Sequence, residues 1–193
     1  LLKISPQVVI YDVDESAPAL PPNAIALAQV KSAAFGDGTH PTTRLCAGAV
    51  DLLCRQRPGL SVLDVGTGTG ILARIARARG ATFIIATDIE PDALNAARAN
   101  ALLDRHTVEI QIAALAPDHW GARFDLVVAN ILEGPLTKLA PTLARALTPG
   151  GALLLSGFTR LQIPFLRNAF EKTGLTYAQE SLLDGWTLIV FKS

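Results

Sequence analysis

The alternation of apolar and polar positions divides the chain into two unequal parts. From Leu60 onward, short apolar runs alternate with segments of helical period. The runs over 60–65, 82–87, 107–112 (with its end at Ala113-Ala114), 124–130 and 151–156 read as strands, and 70–79, 91–103 and 135–147 as helices. Phe83-Ile84-Ile85-Ala86 and Leu126-Val127-Val128 have no polar face, as expected of strands covered on both sides in a parallel sheet. After a helix near 160–173, two further strands flank Asp184-Gly185, a dipeptide suited to a two-residue hairpin turn. Before Leu60 the pattern is weaker. Residues 7–13 are mostly β-branched or apolar and read as a strand, followed by a connection through Pro18, Pro21 and Pro22 and an apolar stretch at 24–30 without clear period. Gly36 and Gly38 mark a loop, Pro41 suits a first helical turn, and Leu45, Ala49, Leu52 and Leu53 share a helical face. The expected division is a leader over 1–32, holding a strand and a Pro-rich linker, and an α/β domain over 33–193.

The sharpest feature is the passage from strand to helix at Val62-Leu63-Asp64-Val65-Gly66-Thr67-Gly68-Thr69-Gly70-Ile71-Leu72. Glycine at every second position lets the backbone take left-handed conformations and brings it close to a bound molecule. Its spacing discriminates among nucleotide sites. The dinucleotide fingerprint would put its third glycine at Ile71, and a P-loop would need a Lys followed by Ser or Thr. What remains, D-x-G-x-G-x-G, resembles motif I of the class I S-adenosylmethionine-dependent methyltransferases. That resemblance implies a Rossmann-like three-layer α/β sandwich, with a mostly parallel seven-stranded sheet ending in a C-terminal antiparallel hairpin.

Composition narrows the classes further. The 193 residues, 50% hydrophobic and 18% charged, suit one domain with a sizeable core. With 17 basic against 17 acidic residues, no global field draws the protein to nucleic acid or an anionic membrane. Cys46 and Cys54 form neither a zinc-ligand set nor a disulfide framework, so reduced thiols, no metal and a cytoplasmic location are expected. No apolar run approaches the roughly eighteen residues of a membrane span. The chain opens at Leu1 and contains no methionine, as a fragment lacking upstream residues would.

In open parallel sheets, ligands sit beyond the carboxyl ends of the strands, which here are Gly66, Asp88, Ala113 and Asn130. Asp88 is placed to accept the two hydroxyls of a ribose, or to cap the helix opening at Pro91; the two roles are compatible. The strand that follows it ends without a carboxylate or amide for an adenine amino group, leaving backbone contacts to serve. An Asn at the position of Asn130, in amino-group methyltransferases, takes hydrogen bonds from the nitrogen being methylated. The bland alternative is a turn asparagine.

Four segments together carry a closer resemblance. They are Phe35-Gly36-Asp37-Gly38-Thr39-His40-Pro41-Thr42-Thr43, the motif from Leu63 to Leu72, Asp88-Ile89-Glu90-Pro91 and Asn130-Ile131-Leu132-Glu133-Gly134-Pro135-Leu136. These are similar to the PrmA family, which methylates amino groups of ribosomal protein L-eleven (L11), and the likeness extends through Leu154-Leu155-Ser156-Gly157 to the C-terminal hairpin. The resemblance implies S-adenosylmethionine held by Thr43, Asp64, Gly66, Thr67, Gly68, Gly70, Asp88, Ile89 and Asn130, with Asn130 also the catalytic residue facing the nitrogen. Phe35, His40, Leu132 and Glu133 fall on the substrate side; His40 could equally only shape the start of its helix. The implied substrate is a protein amine, a lysine side chain or an N-terminus, with L11 the candidate. Three departures stand out. Asp37 replaces a small hydroxyl residue, Glu133 replaces a small one, and residues 1–32 are too short for the separate N-terminal domain with which the family grips its ribosomal protein. The competing readings are a non-catalytic or partner-dependent S-adenosylmethionine-binding module, a methyltransferase of a small molecule or nucleic acid, and, last, a nicotinamide dehydrogenase.

Overall fold

A computed structural model describes residues 1–104, 106, 108–114, 120–121 and 123–193. The chain builds two sheets on one shared core. β1 (Leu2–Ser5), β2 (Val8–Asp12) and β3 (Ile25–Gln29) form a small sheet in which β1 and β2 are antiparallel and β2 and β3 parallel. β1 was not legible in the sequence: four residues are too few to show a period, and their pairing comes from β2.

The main sheet follows. α1 (Pro41–Gln56) leads into β4 (Ser61–Val65), α2 (Ile71–Ala78), β5 (Phe83–Asp88), α3 (Pro91–Leu103) and β6 (Ile110–Ala114). Then come β7 (Phe124–Asn130), α4 (Glu133–Ala146), β8 (Leu147–Thr159), a 3-10 turn (Arg160–Gln162), α5 (Ile163–Glu171), β9 (Thr176–Leu183) and β10 (Trp186–Lys192). The strand order is β6-β5-β4-β7-β8-β10-β9, with only β10 antiparallel to its neighbours. The expected seven-stranded sheet with its terminal hairpin is therefore present, and Asp184 and Gly185 turn the hairpin with φ of 50° and 82°, the signs a type I′ turn requires.

Two elements differ from the sequence reading in extent. β6 begins at Ile110 rather than 107, a position outside the described residues, because its partners on β5 run from Ile84↔Ile110 to Asp88↔Ala114. β8 starts at Leu147, directly after α4, because Leu147 already pairs with Phe124 across a bulge.

Residues alternate between the sheet's two covered faces. On one side Val62, Ile84, Leu126, Val128 and Leu154 pack with Cys46, Val50 and Ile75 of α1 and α2, and Ile4, Val8, Ile10 and Leu27 of the small sheet join the same core. On the other, Leu63, Val127, Leu153 and Ile189 pack against Leu136, Leu143, Leu166 and Phe170 of α4 and α5. Each fully buried Leu, Ile or Phe contributes roughly 1.5–3 kcal/mol. Among the described residues, no helix is long and apolar enough to cross a membrane.

Candidate functional site

Strand order reverses between β4 and β7: β5 and β6 extend from one side of β4, β7 and β8 from the other. The loops beyond that switch point form the cleft where ligands of open α/β sheets bind. Asp64 lies inside β4, and Gly66 to Gly70 leave the end of that strand. Gly66 and Thr67 donate their N–H groups to the Thr87 carbonyl at 2.8 and 2.9 Å, binding the loop to β5.

All three glycines have positive φ, 72° at Gly66, 55° at Gly68 and 81° at Gly70. Their neighbours revise the reason glycine is needed. A Cβ on Gly66 would run into the Ile131 side chain, one on Gly68 into the Phe35 carbonyl, and one on Gly70 would lie 3.2 Å from Ala97 of α3. The protein itself closes on these positions, so the glycines lock the loop to three other segments, and every N–H from Gly66 to Gly70 is bonded within the chain.

Asp64 is completely buried. Its Oδ2 accepts from the Thr67 hydroxyl at 2.6 Å and from the Ala73 N–H at 3.3 Å, whereas Oδ1 has no partner among the described residues. Burial pushes its carboxyl up to about 6, against the pull of those two bonds and with the nearby Asp88 charge adding to the rise. Thr67 thus turns its hydroxyl inward, and its N–H and carbonyl are bonded to Thr87 and Gly70. Asp88, at the end of β5, accepts from the Gly68 N–H at 2.9 Å through Oδ2, and from Ile89 and Glu90 N–H at 2.8 and 3.1 Å through Oδ1. The cap position of α3 is Glu90, so Asp88 organises the turn ahead of the helix rather than capping it. Its three bonds use three of about four lone-pair directions.

Thr43, in the first turn of α1, is 1% exposed, and its Oγ1 has no partner among the described residues. Asn130 ends β7 opposite Ser156, and its Oδ1 is likewise buried and unpartnered. An unpaired buried acceptor costs about 1–3 kcal/mol, so native structures keep one mainly where a ligand or water completes it. Three such oxygens, on Thr43, Asp64 and Asn130, occur at the carboxyl-end side of the switch point.

Of the substrate-side candidates, Phe35 is 52% exposed and Leu132 70%; the cofactor candidate Ile89 is 72% exposed. His40 is the N-cap of α1, its Nδ1 accepting from the Thr42 N–H at 3.3 Å and lying 2.7 Å from the Thr42 hydroxyl. Its ring also sits between Phe35, at 5.3 Å, and Trp186, at 4.6 Å. The structure therefore gives His40 the helix-shaping role and places it in an aromatic cluster as well. Glu133 accepts from the Thr137 hydroxyl at 2.9 Å at the start of α4. Asp37 accepts from the Thr39 N–H and hydroxyl at 2.9 and 2.7 Å, a local turn that a small hydroxyl residue makes more weakly.

Sequence reasoning missed Trp186, Ile131, Thr69 and Asn100. Trp186 looked like one apolar residue of a hairpin; its place beside His40 depends on the β8–β10 register, in which it pairs with Thr159. Thr69 and Asn100 act through bonds to backbone, which no spacing rule exposes.

The donor set fits S-adenosylmethionine. The carboxylates of Asp64 and Asp88, with the unpartnered oxygens of Thr43 and Asn130, suit a ligand carrying a sulfonium, an ammonium and ribose hydroxyls. The N–H groups of residues 66–70 are bonded within the chain and no Lys or Arg occurs in 64–70, 86–90 or 128–134, so a phosphate would find neither a backbone cradle nor a cationic partner there. Fold and site together define a class I S-adenosylmethionine-dependent methyltransferase domain.

Comparison with known proteins narrows the class to a family. The family described as ribosomal protein L11 methyltransferase (PrmA) matches residues 2–193, and the chain belongs to it. A ribosomal protein L11 methyltransferase of Geobacter metallireducens is 41% identical over 160 residues, 83% of this chain and 52% of the relative. One from Azotobacter vinelandii is 43% identical over 171 residues, 87% of this chain and 56% of the relative. The chain spans about half the length of the curated relatives it matches. The crystal structure of a ribosomal protein L11 methylase from Lactobacillus delbrueckii subsp. bulgaricus superposes with a TM-score of 0.83 at 30% identity, covering 98% of this chain and 96% of that one. An S-adenosylmethionine-dependent methyltransferase from Mesorhizobium loti, at 17% identity and a TM-score of 0.60, shares the fold. Family and fold indicate S-adenosylmethionine as the cofactor.

Proposed function

We propose that this chain is the catalytic domain of a cytoplasmic protein N-methyltransferase that moves a methyl group from S-adenosylmethionine to an amino nitrogen, with ribosomal protein L11 as its substrate. The observation that carries the reading is the buried, unpartnered Oδ1 of Asn130 at the mouth-side end of β7. An amide oxygen accepts hydrogen bonds, and an incoming amine offers N–H groups to it. The bound cofactor supplies an electrophilic methyl group on a sulfonium.

The chain's own residues have two tasks. The first is to favour the neutral amine. For a lysine with pKa about 10.4, neutralisation at pH 7 costs roughly 4–5 kcal/mol. The aromatic cluster of Phe35, His40 and Trp186 lowers that cost by excluding water, and so does a neighbouring sulfonium, so no strong base is required. The second task is orientation. Asn130 holds the nitrogen by its N–H groups and aims the lone pair along the line of attack, while Thr43, Asp64 and Asp88 hold the cofactor. Asp88 takes a ribose hydroxyl with its remaining lone pair, and the carboxylates balance the cofactor's positive charge.

The test is transfer of a tritiated methyl group in a cell lysate, with and without added purified L11, followed by mass spectrometry of the labelled band. Label on an amino nitrogen of L11 supports the reading. Cofactor binding without transfer to any fraction would favour a non-catalytic module instead.

A further inference from the structure

The segment from Val30 to His40 has no regular secondary structure, yet it is fastened at short intervals to buried groups. Val30 donates its N–H to Asn100 Oδ1 at 2.9 Å, and Asn100 Nδ2 donates to the Thr69 carbonyl at 2.9 Å. Thr69 in turn donates its N–H to the Phe35 carbonyl at 2.9 Å and its hydroxyl to the Gly36 carbonyl at 2.6 Å. All three hydrogen-bonding groups of Thr69 are thus committed to the segment or to Asn100. The fit is tight: a Cβ on Gly36 would lie 2.9 Å from Thr69 Oγ1, and one on Gly38 would lie 2.7 Å from side-chain carbons of Ile4 and Ile10. The segment is clamped between the glycine loop on one side and the small sheet on the other. Phe35 and His40 project from it toward Trp186.

We propose that Thr69 and Asn100 are positioning residues that join the glycine loop and this strap into one mechanical unit, so that S-adenosylmethionine bound at the loop strengthens binding of the amine substrate at the strap. The proposal rests on the methyltransferase reading above. Its physical basis is the chain of contacts. A ligand that engages Asp88 and the loop backbone restricts Gly68, whose N–H is held by Asp88. Thr69 follows Gly68 directly and carries that restriction to Phe35 and Gly36. The loop and the strap therefore shift together, so the arrangement that one ligand favours is the arrangement met by the other, which is positive coupling between the two sites. Coupling in binding is reciprocal, so substrate at the strap strengthens cofactor binding by the same factor.

The test uses Thr69→Val, which keeps the shape of the side chain and removes the hydroxyl, beside Thr69→Ser, which keeps the hydroxyl and removes the methyl. Both are made in a Trp120→Phe background, leaving Trp186 the only tryptophan. S-adenosylhomocysteine is titrated by calorimetry and by Trp186 emission, and KM and kcat for purified L11 are measured at saturating cofactor. The parent and Thr69→Ser should show a shift in Trp186 emission when the ligand binds. In Thr69→Val the shift should be lost and KM for L11 should rise about tenfold, the size of an ordinary coupling between two sites, with kcat changing much less. Equal behaviour of parent and Thr69→Val, or a defect in Thr69→Ser with none in Thr69→Val, would overturn the proposal and leave the methyltransferase reading intact. Failure of the parent to bind S-adenosylhomocysteine in calorimetry would overturn both.

Discussion

Two groups of buried polar side chains lie on the α1–α3 side of the main sheet, and they are finished differently. In one, Asp104 receives Arg74 Nη2 at 2.7 Å on Oδ1, and Arg74 Nε at 2.8 Å and Arg77 Nη2 at 2.7 Å on Oδ2. Arg74 also donates to the Ala28 carbonyl at 2.5 Å, tying β3 to the end of α3. Both carboxylate oxygens are engaged, although Arg74 Nη1 and Arg77 Nε are left over. Burial pushes the Asp104 carboxyl up, but the bonds and charges of the two arginines outweigh it and hold the pKa below its usual value. In the other group, Thr43, Asp64 and Asn130 each keep an oxygen with no partner among the described residues, and burial leaves Asp64 raised. The first group contributes its interactions within the chain and holds the fold. The second leaves one oxygen on each residue without a partner among the described residues, which under the proposed function a bound ligand would complete.

The contrast breaks most clearly at Asp104. Asp104→Asn leaves two nearly inaccessible guanidinium groups undercompensated and should cost about 3–5 kcal/mol in denaturant unfolding. The variant that remains folded should bind S-adenosylmethionine within a few fold of the parent. Asp88→Ala should act on binding as well as on the fold, since it also frees the Gly68, Ile89 and Glu90 N–H groups. Losing the one charge-assisted bond that its remaining lone pair can make, about 1.5–3 kcal/mol, predicts roughly ten- to hundredfold weaker cofactor binding by calorimetry. Unaltered binding would remove Asp88 from the site.

Asn130→Ala sharpens the comparison further. Deleting an acceptor that has no partner should change stability by less than about 0.5 kcal/mol. The rate of methyl transfer should nevertheless fall roughly thirtyfold at saturating cofactor. The smallest effect is expected at Asp64. Its folded pKa lies above the unfolded one, so the folded state binds the extra proton between about 4 and 6. Stability of the ligand-free protein from this group therefore falls as pH rises through that window, and the cost is complete above it. Asp64→Asn should stabilise the ligand-free protein at pH 7 by about 1–2 kcal/mol and flatten that part of the pH profile, while weakening cofactor binding. The gain stays below the ~3 kcal/mol that two pH units represent, because a buried amide leaves an unpaired group of its own.

The parallel strands were legible because strands covered on both faces carry continuous apolar runs, and the hairpin because Asp184-Gly185 matches what its turn demands. The small sheet was harder to see. β1 is four residues long, and β3 pairs in parallel with β2 across a Pro-rich connection, so neither carries a period of its own. The candidate site shows the same division. Asp88 and Asn130 are named by position at strand ends, and Asp64 with the alternating glycines marks the loop. Trp186 reaches the site only through the pairing of β8 with β10. Thr69 and Asn100 bond to backbone carbonyls and N–H groups supplied by residues 31 to 70 positions away, which leave no trace in composition or spacing.

The most direct test of the account is single-turnover transfer from methyl-labelled S-adenosylmethionine to purified L11, for the parent and Asn130→Ala at saturating cofactor, with the modified atom located by tandem mass spectrometry. The account predicts label on an amino nitrogen in the parent, and a strongly slowed reaction in a variant that still binds cofactor and keeps its stability. Label on a carboxylate or on RNA, or an undiminished rate in Asn130→Ala, would contradict it.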